Sequence, residues 1–452
     1  MPGHTPSALN SRANDFCKPL MWFALACCII YAFSELAFPD VGKLAEAGLL
    51  IATIIGLALG VRNPALFTPF VLLGVSILVQ TTGWAASFGA REYGFEPESS
   101  PRVDVLAKWF LFLVFALWLG RKPLGTPVLW AAAAIGFFLM PWTTGLGIQE
   151  LRLALDNQRI DIGTMNAQHA AMLSGILLLG SLALFIHSST ASAGRKTLAG
   201  VASCTTLAAI ALLYATQTRG VWLGVAVASA SVVVLYLWLS RKNKNASASS
   251  WLVIPLMTAI IVGTVLVAVN SNLSHRIDKE SGSFLLALQG KVESMPLDST
   301  GIRLRSWYFA LPFIAQKPWF GWGPDGSKLI MQESDALPPA MKSQFGHLHN
   351  TYLDITAQYG IFGLALYLAL LGWLILHLIK AYKAKVLPLS TFLFGISFFI
   401  YWIIVNSFES YMLFSTGKYA FTIVCAGLIS LTFSSAPIAQ ARYTPFFLRR
   451  KP

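Results

Sequence analysis

The sequence predicts an all-α polytopic membrane protein of about twelve transmembrane helices, with one large helical loop on the outward side between helices nine and ten. Three observations predict it. Of the 452 residues, 56% are hydrophobic and 12% charged, roughly half the charge usual in soluble domains. About twelve apolar stretches approach the roughly 20 residues that a bilayer core about 30 Å thick requires. Lysines and arginines gather in the tails and in every second loop.

The stretches run over 19–38, 45–61, 66–84, 104–120, 127–143, 168–187, 197–216, 220–240, 251–270, 359–380, 388–407 and 418–436. Each is expected to be helical, because lipid cannot satisfy free backbone groups. The first follows about eighteen polar residues and meets no small-residue cleavage pattern before Glu35, so it reads as a retained helix rather than a signal peptide. Arg62, Arg121, Lys122, Arg195, Lys196, Arg241, Lys242, Lys244, Lys380, Lys383 and Lys385 mark alternate loops, and Arg12, Lys18, Arg442, Arg449, Arg450 and Lys451 the tails. By the positive-inside rule these segments, and both termini, are cytoplasmic.

That distribution also accounts for the net charge of +13, as a topology signal and a contact with anionic membrane lipids; no nucleic-acid partner is expected. The chain divides into 1–270, carrying helices one to nine, 271–350, the large outward loop bearing part of the active site, and 351–452, carrying helices ten to twelve and a cytoplasmic tail. The large loop holds about eight basic and seven acidic residues and is no basic field. Cys17, Cys27, Cys28, Cys204 and Cys425 lie in or beside apolar stretches, which argues against a disulfide framework, a cysteine zinc site or thiol chemistry. No Gly-rich phosphate loop follows a strand, so no nucleotide-driven domain is expected.

Within the large loop, 281–295 suits a helix with Phe284, Leu285, Leu288 and Val292 on one face, lying in the membrane interface or packed on the bundle. Asp298-Ser299-Thr300 supplies helix-start residues, and in the helix that follows Arg303 and Trp307 are four apart and share a face. A guanidinium beside an aromatic at a helix beginning suits a phosphate grip. Lys317-Pro318-Trp319-Phe320-Gly321-Trp322-Gly323-Pro324-Asp325-Gly326 then dictates a tight turn, which brings the chain back toward His349-Asn350. Arg219 sits between two apolar stretches with almost no loop, where an arginine is functional, paired or snorkelling to headgroups.

Thr218-Arg219-Gly220, Arg303-x-x-x-Trp307 followed by Pro318-x-x-Gly321-x-Gly323, and His349-Asn350-x-Tyr352-Leu353 with Gly360-x-x-Gly363 resemble the O-antigen ligase superfamily, which also holds O-antigen polymerases and bacterial O-linked oligosaccharyltransferases. The likeness follows the helix plan over most of the chain and is strongest from about 159 to 370. The resemblance implies a helical fold similar to the C-type glycosyltransferases. It also implies metal-independent, inverting glycan transfer at the periplasmic face of the bacterial inner membrane, without a cofactor. The donor it implies is an undecaprenyl-diphosphate-linked glycan and, for ligases, the acceptor is lipid A-core.

On the matching positions, the resemblance implies His349 as general base and Arg219 and Arg303 as diphosphate ligands, with Arg305, Trp307 and Asn350 beside them in substrate binding. Arg305 competes with Arg303, which the spacing to Trp307 favours. Arg159, Asn166 and Gln168 answer a substrate-contact region, although the family's Asn-Pro-Asn run reads Asn166-Ala167-Gln168 here. The chemistry is coherent: a diphosphate leaves readily once cations hold its charge, and an imidazole can take the attacking hydroxyl's proton.

Other polar residues have plainer readings. His169 is a second candidate at the outer end of a helix, His347 a solvated neighbour of the base, and His187 and His377 lie toward the cytoplasm. The spacing reveals no metal-binding histidine trio. Glu96 and Glu98 are either an oxygen-ligand pair for a divalent ion or solvated. Asp354 is in reach to orient the imidazole if a helix begins after Asn350, and Lys108 and Glu409 read as snorkelling or ion-paired helix ends. Three classes stay open: a ligase, a polymerase or pilin-type oligosaccharyltransferase, and a lipid-linked glycan transporter. The short tail after the twelfth stretch favours the ligase, and the one oversized loop argues against a transporter built from matched repeats.

Overall fold

The computed structural model describes residues 7–433, apart from 121, 123, 191–194, 243–284, 287–288, 336 and 343. The described residues are helical and contain no strand. Among the described residues, eight helices are long and apolar enough to cross a membrane. They lie in α1 (Ser7–Ala37), α2 (Pro39–Ala58), the 64–93 segment containing α3 (Phe67–Ser87), α6 (Gly125–Thr143), α8 (Ala167–Thr190), α9 (Arg195–Thr216), α10 (Arg219–Lys242) and α14 (Thr351–Lys383). Two shorter apolar helices, α15 (Leu389–Val405) and α16 (Ser415–Leu431), complete the bundle. The smaller helices are α4 (Asp104–Ala107), α5 (Leu111–Leu119), α7 (Ile148–Leu155), α11 (Ser299–Gln316), α12 (Gly326–Glu333) and α13 (Pro339–Lys342).

Large apolar side chains such as Leu44, Ile54, Phe67, Leu78 and Val234 are exposed along these helices, as a lipid-facing surface requires and a water-facing one does not. The ninth expected stretch, 251–270, the start of the large loop and the tail after 433 lie outside the described residues. Several boundaries differ from the apolar pattern. The second helix begins at Pro39 because α1 and α2 form a hairpin across Phe38.

The fourth stretch is not one helix. α4 passes through a 3₁₀ turn, Lys108–Phe110, into the nine-residue α5, and Trp109, Phe110, Phe112, Leu113, Phe115 and Trp118 are all buried. Being apolar all round, this segment can be surrounded by other helices rather than lipid. A side chain from α3 serves its break, since Gln80 Oε1 accepts from Leu106 N at 2.7 Å. The helix expected over 281–295 is also interrupted. Gly290 turns at φ 71°, and Val292–Ser294 is a single 3₁₀ turn; Phe284 and Leu288 lie outside the described residues.

Pairing of α8 with α9, α10 with α15, α15 with α8 and α3 with α14 aligns one set of helix ends. The α6–α8 and α9–α10 connections, the start of α14 and the α15–α16 connection share this end. Arg62, Lys122, Lys196, Lys242 and Lys380 belong to the alternate connections and helix ends.

The glycine-rich turn 317–326 anchors the large loop to this bundle. Trp322 N donates to Ala357 O at 2.8 Å, Gly323 N to Gln358 O at 2.9 Å, and Ile361 N to Pro318 O at 2.8 Å. These bonds need a break in α14, which falls at Gly360 with φ 62° and ψ −162°. A Cβ there would lie 2.2 Å from the Trp319 carbonyl carbon, so both backbone conformation and space demand glycine. Gly360→Ala is therefore expected to destabilise the protein by about 3 kcal/mol or more. A lower melting temperature in detergent would register it; an unchanged one would show that the turn does not need this docking.

Candidate active site

The site grows from the N-terminus of α14. Asn350 is its N-cap, accepting from Tyr352 N at 3.0 Å and Leu353 N at 3.2 Å, which satisfies amides the helix cannot. Two residues earlier, Leu348 is buried and clamped on both backbone groups. Its N–H donates to Asp354 Oδ1 at 3.0 Å, and its carbonyl accepts from Trp307 Nε1 at 2.7 Å. Between these anchors His349 holds a left-handed backbone, φ 51°, a conformation uncommon outside glycine and found where surrounding structure imposes it.

This backbone turns the His349 ring toward Glu409, whose side chain is 1% exposed. His349 Nδ1 lies 3.0 Å from Oε2 and 3.2 Å from Oε1. His347 Nε2 lies 3.0 Å from Oε1, and the two imidazoles are 4.1 Å apart between centroids. Glu409 Oε1 also accepts from Ser410 N at 2.9 Å. Burial would raise the Glu409 carboxyl's pKa, but the hydrogen bonds and charges of His347 and His349 outweigh it and hold the group below the carboxylate range. For His347, burial favours the neutral ring, and the bond and charge of Glu409 prevail to raise its pKa.

An ionised carboxylate can only accept, so it selects the His349 tautomer with the proton on Nδ1 and leaves the Nε2 lone pair available. The carboxylate is itself secured. Thr351 Oγ1 donates to Asn406 Oδ1 at 2.6 Å and to Glu409 O at 3.1 Å, while Ser410 Oγ donates to Asp354 Oδ2. The start of α14 and the α15–α16 connection are thus held together across both sides of the pair.

The cationic part of the site comes from two other elements. Asp298 caps α11 by accepting from Thr300 N and Gly301 N, and one turn on, Arg303 Nη2 donates to Gln168 Oε1 at 3.2 Å. Arg303 Nε is buried and has no partner among the described residues. Burial depresses this guanidinium's pKa most; Glu409 and Tyr411 counter it, and Arg159 and Arg219 add to it. The group stays charged throughout the working pH range. Arg159 Nε donates to Thr216 O at 3.0 Å and Nη2 to Thr218 Oγ1 at 3.2 Å, tying it to the turn that presents half-buried Arg219 at the start of α10. Three arginines therefore act on one region beside the His349–Glu409 pair.

The remaining expected residues separate by role. Gln168 joins the two halves, holding Arg303 by its side chain and accepting from Tyr411 Oη at 3.0 Å through its carbonyl. Trp307 steadies the backbone leading to His349. Asn166 caps α8 by accepting from Gln168 N and His169 N, so this side chain and that of Asn350 serve helix starts. Arg305 turns away, donating to Glu293 O at 2.9 Å. His169 is buried between Tyr411 and Phe414, 2.6 Å from Thr416 Oγ1, with Nε2 unpartnered among the described residues.

Two plain readings need correction. The carboxylate that orients His349 is Glu409, not Asp354, which binds Leu348 N and Ser410 instead, and His347 is no merely solvated neighbour. Of the two readings of Glu409, the ion-paired one holds, with the histidines as its partners. The histidines and Glu409 also converge as a group whose donor atoms lie within 4.8 Å of one another, the spacing of a metal-ligand set. Glu96 and Glu98, by contrast, pair with Arg91 and Arg102 on exposed surface. An apolar cavity of about 740 Å³ lined by Trp130, Phe137, Leu173 and Phe394 includes none of the site residues.

Fold and site together define a multi-pass helical membrane protein with a histidine–carboxylate pair and a group of arginines at one end of its bundle. Residues 204–368, somewhat over a third of the chain, match the family model described as O-antigen ligase. That match supports glycosyl transfer of the ligase and polymerase type as the activity. The matched stretch contains Arg219, Arg303 and His349; Arg159, Gln168 and Glu409 lie outside it. No curated protein matches the chain.

Proposed function

We propose that the protein is an O-antigen ligase, transferring a glycan from undecaprenyl diphosphate to a hydroxyl of lipid A-core at the periplasmic face of the bacterial inner membrane. The observation that carries this reading is the contact of His349 with the buried Glu409 carboxylate beside Arg303. Glu409 keeps the proton on Nδ1, and Nε2 of His349 takes the proton of the acceptor hydroxyl. The hydroxyl oxygen attacks the anomeric carbon from the face opposite the diphosphate, and the new C–O bond forms as the old one breaks. The departing electron pair rests on the diphosphate, whose charge Arg303 and Arg219 hold, with Arg159 behind them. The product is inverted, and base and cations together supply the chemistry without a metal or cofactor. Basic residues on alternate connections support an orientation with this site outside and both termini inside.

Reconstitution with an undecaprenyl-diphosphate oligosaccharide, offered lipid A-core, a second lipid-linked glycan or a pilin as separate acceptors, tests the assignment. Transfer to lipid A-core alone, persisting in chelator, is the expected result. Transfer only to the second glycan or to pilin would make the protein a polymerase or an oligosaccharyltransferase, and movement of donor without transfer would make it a transporter.

A further inference from the structure

We propose that His347, His349 and Glu409 form a transition-metal site, and that a zinc-class divalent ion bound there switches glycan transfer off. The donor atoms are His347 Nε2, His349 Nδ1 and a carboxylate oxygen of Glu409. The histidine nitrogens lie 3.0 Å from Oε1 and Oε2 of Glu409, respectively. Metal bonds of about 2.0–2.1 Å at tetrahedral angles separate neighbouring donors by about 3.3 Å, close to the histidine–carboxylate distances here, and all the donor atoms lie within 4.8 Å of one another.

The donor set favours zinc-like ions. Two imidazoles and one carboxylate match a common three-ligand zinc arrangement with a fourth position open, and nitrogen donors favour Cu²⁺ or Zn²⁺ over Mg²⁺ or Ca²⁺. The ligands are also held from behind. Ser410 N fixes one Glu409 oxygen, and Trp307 and Asp354 fix the backbone before His349, as outer contacts do for metal ligands generally. Side-chain exposure of 20% at His347, 15% at His349 and 1% at Glu409 leaves an entry on the histidine side. Asp354 adds favourable charge and Arg303 opposes it.

The switch follows from which nitrogen the metal takes. With Nδ1 of His349 bound to metal, the neutral ring carries its proton on Nε2. The net change is one proton moved from Nδ1 to Nε2, so no lone pair remains for the acceptor hydroxyl. This consequence rests on the base assignment proposed above; the metal site itself does not.

Full-length protein in detergent, stripped with chelator and titrated with Co²⁺, tests the site without any glycan. One equivalent should produce the visible absorption of a four-coordinate Co²⁺ centre, and Zn²⁺ should displace it. Folded His347→Gln, His349→Ala and Glu409→Gln should each lose the band, whereas His377→Ala should keep it. No band in wild type, or one surviving in all three variants, overturns the site. In the transfer assay Zn²⁺ should reduce wild-type turnover more than tenfold, with the midpoint of its binding titration, and chelator should restore it. Binding with unchanged turnover overturns the switch, and turnover that requires the ion overturns both the switch and the metal-free base. Failure of transfer to every acceptor would count against the proposed function and leave the Co²⁺ result to stand by itself.

Discussion

Glu409→Gln is expected to slow glycan transfer about 10³-fold, within the 10²–10⁴ range of general base catalysis, while the protein still folds and inserts. The amide has nearly the carboxylate's shape but one end donates. If it donates to His349 Nδ1, that nitrogen becomes the acceptor and the ring proton moves to Nε2, leaving no base for the acceptor hydroxyl. Packing changes little, because Ser410 N can still reach the amide oxygen. The loss should fall on kcat, with donor affinity nearly kept, since Glu409 positions the base rather than touching substrate. His349→Ala should lose a similar factor and the double variant little more, as groups acting through one step are not additive. Single-turnover transfer in chelator, alongside donor binding, measures both terms. Turnover of Glu409→Gln within threefold of wild type would remove Glu409 from the mechanism.

The contact on which that result depends joins residues sixty apart in the chain, which limits what the sequence can reveal of it. Local patterns report local structure. Apolar runs mark most of the spans, Asp298 and Asn350 stand where helix caps belong, and the glycine-rich turn docks near the start of α14, as its composition suggests. Arg303 and Arg305 are also separable in principle, because residues two apart on a helix face nearly opposite sides. One meets Gln168 and the other Glu293.

Long-range selection among polar residues leaves no such pattern. Asp354 is nearer His349 in sequence than Glu409 is, yet the helical turn points it at Leu348 N. Glu409 arrives from the α15–α16 connection, and only its presence between two apolar stretches hinted at a role. The fourth stretch failed differently: hydropathy recognises an apolar segment but cannot tell lipid from protein as its surroundings. Asn166 and Asn350 show the converse limit, since a motif position can be occupied for the helix start it provides.

Arg303→Lys is expected to reduce transfer about 10²–10³-fold, the cost of removing one preorganised donor at developing charge, yet to leave the resting protein as stable as wild type or more so. In the resting site the guanidinium is half-buried, keeps its buried Nε unpartnered among the described residues and sits in the repulsive field of Arg159 and Arg219. Such an arrangement costs stability unless an anion completes it. A diphosphate would do so, spreading its charge over several guanidinium N–H groups. Lysine offers one compact charge with no fork, and burial among cations favours its neutral form. Donor affinity and kcat should therefore both fall, unlike the kcat-centred loss at Glu409. Donor diphosphate should raise the melting temperature of wild type more than that of Arg303→Lys, and Arg219→Lys should show the same blunted response. Wild-type kinetics in Arg303→Lys would reduce this arginine to a packing residue. A marked loss of stability without donor would mean that the Arg303 guanidinium is satisfied in the resting fold and awaits no anion.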